Sequence, residues 1–125
     1  MIYLGRRGFD LNRDQLAEFI EQDVEQIIRM FRLKNKSYGN AQDGFYNFRE
    51  TARRLAAGEP TLEQMFRVNL TLTDKHWVAL MQHGAKADEA ADRLLDIIVY
   101  ALMGRAMLAE IGKQLARAEL EKLVA

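Results

Sequence analysis

Proline is almost absent from this chain, and its rarity permits long, uninterrupted helices. Pro60 is the only proline in 125 residues. Proline is the residue that most strongly interrupts a helix, and abundant Ala, Leu, Glu, Arg and Gln favour helix throughout. The one extended segment that we expect is a short N-terminal arm within residues 1–11. We therefore predict an all-α protein with a single domain over residues 1–125.

The first two helices are marked by capping residues and by a loop between them. Asn12 followed by Gln15 predicts the N-terminal cap of a helix over about residues 12–34. A segment rich in Gly, Asn and Asp then ends the helical pattern. Asp43 is the expected cap of the second helix, and Gly58 suits the C′ position at its end.

The third and fourth helices are longer. Thr61 and Gln64 form a capping-box pattern at the start of the third helix, and Gly84 is its expected end. The fourth helix is predicted to begin within residues 85–88 and to continue to about Leu123.

The fourth helix is apolar on nearly every side between Leu94 and Leu108. Such a helix is normally surrounded by protein, and a bundle of this length can hardly surround it alone. We therefore predict a four-helix-bundle-like fold that is completed by oligomerisation, as a homodimer or homotetramer. Ala101 and Gly104 are small residues on one face, where another helix is expected to approach closely.

Composition excludes several functional classes. The 18 basic and 18 acidic residues give a formal net charge of zero, which argues against general nucleic-acid binding. Cysteine is absent, so disulfides and thiolate chemistry are excluded. His76 and His83 are too few for a His-rich metal site, and we expect His76 to be packed or hydrogen-bonded rather than catalytic. With no apolar run long enough for a bilayer and no signal-peptide core, the sequence predicts a soluble cytoplasmic protein.

Acidic residues near the apolar segment are the main candidates for chemistry. Glu89, Asp92 and Asp96 are spaced i, i+3 and i+7, so a helix would place them on one face. Asp96 also has apolar neighbours, where a carboxylate costs free energy unless it is paired, hydrogen-bonded or bound to a metal. Hard cations such as Mg²⁺ prefer these oxygen ligands, and antiparallel pairing of the third and fourth helices would add Asp74. The alternative is that these carboxylates pair with surface arginines or face the helix dipole.

A basic and aromatic segment between the first two helices is the second candidate. Lysines suit phosphates as point charges, a tyrosine beside glycine can stack on a base or sugar, and asparagine can bind a base edge or a ribose. The residues concerned are Lys34, Lys36, Tyr38 and Asn47. The alternative is an ordinary connector in which Phe45 and Phe48 belong to the core. No Walker-type or Gly-x-Gly-x-x-Gly loop occurs.

Three segments in this order resemble the nucleotide modification associated domain 1 family: KNKSYGNAQDGFYNF, TDKHW and DEAADRLLDIIVYAL. That family is common in phages and is placed near the MazG-like all-α nucleoside triphosphate pyrophosphatases. Its pattern is a K-x-x-x-Y-G segment, an N-F pair, a D-K pair and a D-x-x-x-D helix ending in tyrosine. The resemblance covers about residues 12–104. The matching positions are Lys34, Tyr38, Gly39, Asn47, Phe48, Asp74, Lys75, Asp92, Asp96 and Tyr100.

The resemblance implies a helical, oligomeric enzyme that uses Mg²⁺ to cleave a (deoxy)nucleoside triphosphate into a monophosphate and pyrophosphate. It assigns metal binding to Asp74, Glu89, Asp92 and Asp96, of which Asp92 and Asp96 would be catalytic. It assigns nucleotide binding to Lys34, Lys36, Tyr38, Asn47 and Lys75. MazG-type enzymes carry E-x-x-E on the preceding helix, whereas this chain has only Asp74 there. A non-catalytic nucleotide-binding protein and a purely structural helical oligomer are the alternatives.

Overall fold

The computed structural model describes residues 11–38, 40, 42–56 and 58–124, and for residues 36–38 it describes the backbone alone. This part of the chain contains no strand, so the all-α prediction is confirmed. A short 3₁₀ turn, Gly84–Lys86, precedes the last helix. The α-helices are α1 Arg13–Tyr38, α2 Tyr46–Leu55, α3 Leu62–His83 and α4 Ala90–Val124.

The chain divides into two compact units, Met1–Leu33 and Lys34–Ala125. The prediction of one domain over residues 1–125 stays a prediction. The predicted N-terminal arm lies outside the described residues except for Leu11. Within the described residues, no helix has both the length and the apolar character that a bilayer crossing requires.

The start of α1 follows the predicted cap. The Gln15 amide donates to Asn12 Oδ1 at 2.8 Å, and the Asn12 amide donates to Gln15 Oε1 at 3.0 Å. These two bonds satisfy backbone donors that the first helical turn leaves without partners. Ile27 of the first unit is buried, whereas five other apolar side chains of α1 are about half exposed: Leu16, Phe19, Ile20, Val24 and Ile28.

In the second unit, the caps of α3 also match their prediction. Thr61 Oγ1 accepts from the Gln64 amide at 3.1 Å, and Gln64 Oε1 accepts from the Thr61 amide at 2.7 Å. Gly84 ends the helix with a φ of 59°, a left-handed conformation that glycine adopts without the steric penalty of a Cβ.

The second helix begins later than predicted, at Tyr46 rather than near Asp43. Asp43 caps the turn before the helix, because its Oδ1 accepts from the Phe45 amide at 2.9 Å and its carbonyl oxygen accepts from the Tyr46 amide at 3.2 Å. The helix ends at Leu55, where Ala56 becomes extended. Gly58 follows with a φ of 101°.

The core of the second unit lies where α3 packs against α4 and α2. One buried polar group, the Asn69 side chain, joins two of these helices, because its Nδ2 donates to the Tyr100 carbonyl oxygen at 3.0 Å. The bond satisfies a group whose burial would otherwise cost free energy. The buried apolar side chains of these three helices are Phe48 and Ala52 of α2, Met65 and Val68 of α3, and Val99, Met103 and Met107 of α4.

Gly104 lies where α4 approaches α3 closely. A Cβ built at this glycine would lie 3.5 Å from Phe66 Cε1 and 3.6 Å from Asn69 Oδ1. One of the two small residues therefore faces a helix of the same chain, as its size predicted. Ala101, the other, is exposed.

Gly104→Ala is expected to raise the free energy of unfolding by up to about 1 kcal/mol, because alanine has the higher helix propensity and the two Cβ contacts are ordinary van der Waals distances. Urea unfolding followed by circular dichroism measures the change. Gly112→Ala is the matched control, since a Cβ there meets nothing within 4 Å. A Gly104→Ala variant that is less stable than the wild type would contradict the prediction. It would show that α3 cannot move far enough to make room for one methyl group.

The apolar segment of α4 is not covered on all sides by the described residues of the second unit. Leu94, Leu102 and Leu108 are each about half exposed. The expectation that a partner subunit covers this surface stays a prediction.

Candidate functional site

A cluster of polar side chains lies between α3 and α4. Arg93, Asp96 and Tyr100 are spaced i, i+3 and i+7, so α4 presents them on one face. His76 of α3 packs against this face, and it is buried. The imidazole and the Tyr100 ring have centroids 6.4 Å apart, and Tyr100 packs edge-on against Phe48 of α2 at 5.9 Å.

Two side chains of α4 contact the two nitrogens of the His76 ring. Arg93 Nη1 lies 3.3 Å from His76 Nδ1, and Asp96 Oδ2 lies 3.7 Å from His76 Nε2. The guanidinium is anchored a second time, because Arg93 Nε donates to the Asp88 carbonyl oxygen at 3.2 Å. The imidazole is therefore held between a cation and an anion.

Burial lowers the pKa of His76 below its ordinary value of 6.5, and the charges of Lys75 and Arg93 act in the same direction against the opposing effect of Asp96. The imidazole is consequently neutral at pH 7 in most molecules. Burial also raises the pKa of the Tyr100 hydroxyl, with a further contribution from the Asp96 charge. Tyr100 therefore remains protonated at neutral pH.

Asp96 is the acidic member of this cluster, with a side chain that is 30% exposed. Among the described residues, neither a lysine nor an arginine forms an ion pair with its carboxylate; the neighbouring ring is that of His76. Because His76 is mostly neutral at pH 7, the charge of Asp96 is not balanced by this neighbour. The apolar flanks of Asp96 predicted that its carboxylate lies where losing hydration costs free energy. The structure shows that this place is beside the His76 ring.

The acidic stripe is shorter than the sequence predicted. Glu89 precedes α4 and has a φ of 55°, so it does not share the helical face of Asp92 and Asp96. Its carbonyl oxygen accepts from the Arg93 amide at 2.8 Å, which places Glu89 at the cap. Asp92 lies in the first turn of α4 and is exposed, as is Asp74 on α3.

In the part of the chain that the structure describes, no three or more His, Cys, Asp or Glu side chains form a group that could hold a metal ion. The four predicted ligands Asp74, Glu89, Asp92 and Asp96 therefore do not form a closed protein cage within this part of one chain. Asp92 and Asp96 remain one helical turn apart on α4, a separation at which side chains are neighbours.

The predicted nucleotide-binding residues are only partly described. Lys34, Asn47 and Lys75 are exposed, whereas the side chains of Lys36 and Tyr38 lie outside the described residues. Phe48 is 1% exposed, so its expected place in the core is confirmed. The predicted roles in nucleotide binding stay predictions for Lys34, Lys36, Tyr38, Asn47 and Lys75.

The sequence did not predict a polar cleft at the start of α2 and α3. The cleft has a volume of about 590 Å³, and its walls include Asp43, Arg49, Thr61 and Glu110. Arg49 Nε donates to Asp43 Oδ2 at 2.7 Å across it. The cleft reaches α4 at Ala106, which is about 15 Å along the helix from Asp96, so it is separate from the polar cluster.

Asp43→Asn is expected to remove a pH-dependent part of the stability. The hydrogen bond from Arg49 holds the pKa of the Asp43 carboxyl below its ordinary value of 3.8, aided by the Phe45 amide against the effect of burial. The stability that this carboxylate contributes is thus present above pH 3.8 and is lost as the pH falls through the lower folded-state value. Urea unfolding should show the variant about 1–2 kcal/mol less stable at pH 7, with the difference closing in acid.

Glu63→Gln is the control for this pH series, because Glu63 pairs with Arg67 at 3.1 Å on an exposed surface. Exposed pairs contribute little, so this variant should follow the wild type at every pH. A gap between Asp43→Asn and the wild type that is the same at pH 3 and pH 7 would show that the Asp43 charge is not its source.

Comparison with protein-family models, with curated proteins and with solved structures finds no match for this chain.

Proposed function

We propose that this chain is a nucleotide-binding enzyme of the all-α pyrophosphatase type, which hydrolyses a (deoxy)nucleoside triphosphate to a monophosphate and pyrophosphate with Mg²⁺. The proposal combines the resemblance of three sequence segments with one structural observation. That observation is the Asp96 carboxylate, which is partly buried between α3 and α4 beside a mostly neutral histidine.

The Asp96 environment favours a bound cation. Removing a carboxylate from water costs free energy unless a cation, a metal or hydrogen bonds replace the lost hydration. No lysine or arginine among the described residues forms an ion pair with this carboxylate. A cation that arrives with a ligand would balance its charge.

The residues fit Mg²⁺ that is carried by a nucleotide better than Mg²⁺ held by protein alone. Mg²⁺ in phosphate-handling proteins usually takes one or two carboxylates and completes its shell with water and substrate phosphates. Asp96 and Asp92 would supply these carboxylates from neighbouring turns of α4. When bound, the ion would neutralise phosphate oxygens and polarise the phosphoryl group.

The chain's other candidate residues would bind the rest of the nucleotide. Lys75 follows Asp74 on α3 and would approach phosphate oxygens as a point charge. Lys34 and Lys36 would add positive charge from the end of α1, while Tyr38 and Asn47 would position the nucleoside.

The proposal is tested by incubating the wild-type chain with each nucleoside and deoxynucleoside triphosphate, with Mg²⁺ or with a chelator, and measuring pyrophosphate and monophosphate. The expected result is Mg²⁺-dependent release of both products in equal amounts from at least one nucleotide. If the chain binds a non-hydrolysable analogue but releases no product from any nucleotide, it is a nucleotide-binding protein and not an enzyme. Absence of both would overturn the proposal.

A second candidate function, self-assembly through α4, is favoured by the spacing of exposed leucines. Leu94, Leu108 and Leu115 are exposed, and Ala101 completes a series with a seven-residue period. Apolar residues with this period pair helices with one another, so the expected occupant is the same face of a second copy. Sedimentation equilibrium of the wild type should give a mass that is a multiple of the mass of one chain. The Leu108→Glu variant should give the mass of one chain. A wild-type mass of one chain would exclude this candidate.

A further inference from the structure

We propose that Arg93 fixes the His76 imidazole in the tautomer that carries its proton on Nε2, and that His76 thereby acts as a positioning residue for Asp96. The inference rests on the proposed function for its role in catalysis. The tautomer itself follows from the chemistry of the contacts between α3 and α4.

The Arg93 contact decides which ring nitrogen carries the proton. A guanidinium has only N–H donors and no acceptor, and Arg93 Nη1 lies 3.3 Å from His76 Nδ1. If Nδ1 carried the proton, its N–H would point at an N–H of Arg93, and two donors cannot bond to each other. Nδ1 must therefore present its lone pair to Arg93. The bond from Arg93 Nε to the Asp88 carbonyl oxygen at 3.2 Å holds the guanidinium in this place.

The remaining ring proton then lies on the nitrogen that faces Asp96. His76 Nε2 is 3.7 Å from Asp96 Oδ2, which is longer than a hydrogen bond but close enough for an electrostatic attraction between the ring N–H and the carboxylate. An N–H group at this position orients the carboxylate without cancelling its charge. A lysine or arginine would instead neutralise the anion that the proposed cation needs.

The same geometry argues against His76 as a general base. Its Nε2 already carries a proton, and its Nδ1 lone pair is engaged by Arg93. The imidazole is also buried, so a nucleotide would meet Asp96 before it met His76. The role that remains is to hold the Asp96 carboxylate, as outer residues commonly hold the ligands of a metal.

Nitrogen-15 NMR of the imidazole tests the tautomer independently of any activity. His83 is the other histidine, so His83→Gln leaves a single ring to observe. At pH 7.5 the long-range ¹⁵N–¹H spectrum should show a protonated Nε2 and an unprotonated Nδ1. Arg93→Met, which keeps much of the side-chain stem and removes the donors, should shift these signals toward a mixture of tautomers. A protonated Nδ1 in the Arg93-containing chain would overturn the inference.

Two substitutions of His76 test its positioning role in the pyrophosphate assay. His76→Gln keeps an N–H donor near the Nε2 position, and His76→Leu removes it. We expect His76→Leu to lower kcat about tenfold or more while KM for the Mg²⁺–nucleotide changes little, and His76→Gln to recover most of the loss. Equal activity of the two variants would overturn the positioning role.

The outcomes separate this inference from the proposed function. If the wild-type chain shows the expected tautomer but hydrolyses no nucleotide, the proposed enzymatic function is wrong, and so is the positioning role of His76. The effect of Arg93 on the tautomer would still be established. Arg93→Met serves as the second variant if His76→Leu fails to fold. Its loss of tautomer preference together with reduced kcat would support the inference, and unchanged kcat would overturn the positioning role.

Discussion

Asp96→Asn is expected to lower the rate of pyrophosphate release about a hundredfold or more, which is the scale of losing a charged group that acts on the reacting atoms. Asparagine preserves the size of the side chain but cannot carry the negative charge that would hold the cation and its phosphates. The loss should appear in kcat/KM for the nucleotide found active with the wild type. Folding should persist, because the substitution removes a partly buried charge rather than a packed group.

Asp14→Asn is the matched control for this assay. Asp14 lies in the first turn of α1, and its side chain is 90% exposed, so the same chemical change there should leave the rate unaltered. Circular dichroism on both variants establishes that each is folded. If Asp96→Asn retains the wild-type rate, the assignment of the site to α4 is wrong even when the chain hydrolyses nucleotides.

Phe48→Ala is expected to reduce the free energy of unfolding by about 3–5 kcal/mol, the usual cost of truncating a buried aromatic side chain. Phe48 is 1% exposed and meets the edge of the Tyr100 ring at an interplanar angle of 82°. Its removal takes away both buried apolar area and the ring contact that joins α2 to α4. Urea unfolding monitored by circular dichroism measures the loss.

Tyr46→Ala provides the comparison on the same helix, because Tyr46 is 42% exposed and lies two residues before Phe48. We expect it to cost less than about 1 kcal/mol. Similar losses from the two variants would show that α2 contributes by helix formation rather than by inserting Phe48 into the core.

The sequence correctly predicted the start of a helix where the cap is formed by two side chains three positions apart. The Asn12 and Thr61 caps form as expected, and Gly84 ends α3 in the left-handed conformation that its type allows. Asp43 was harder to place, because an aspartate can accept from the backbone of a turn as readily as from a helix. Its bond to the Phe45 amide delays the start of α2 to Tyr46.

The candidate site was predictable only in part, because its geometry depends on how α3 and α4 face each other. The apolar flanks of Asp96 indicated that its carboxylate lies in a costly environment. Antiparallel pairing was expected to bring Asp74 to it, but Asp74 is exposed and His76 is buried there instead. Residues two positions apart on a helix point to nearly opposite sides, about 200° apart. The face of α3 that meets α4 therefore buries His76 and leaves Asp74 exposed, and the sequence alone did not show which face that is.

Glu89 illustrates a second limit. Spacing alone placed it on the helical face of Asp92, but the 3₁₀ turn at Gly84–Lys86 delays the start of α4 to Ala90. The backbone of Glu89 adopts a positive φ instead of a helical one. A prediction based on spacing holds only for residues inside the same helix.

The methionines of the second unit differ widely in their access to oxidants. Met65, Met103 and Met107 are buried where α3 meets α4, whereas Met81 is 82% exposed. Conversion of a thioether to the sulfoxide puts a polar group into the side chain, so a packed methionine must become accessible before it reacts. Residue-by-residue peroxide labelling would therefore show Met81 reacting at once. The delay at Met65 and Met107 would then measure how often α3 and α4 separate.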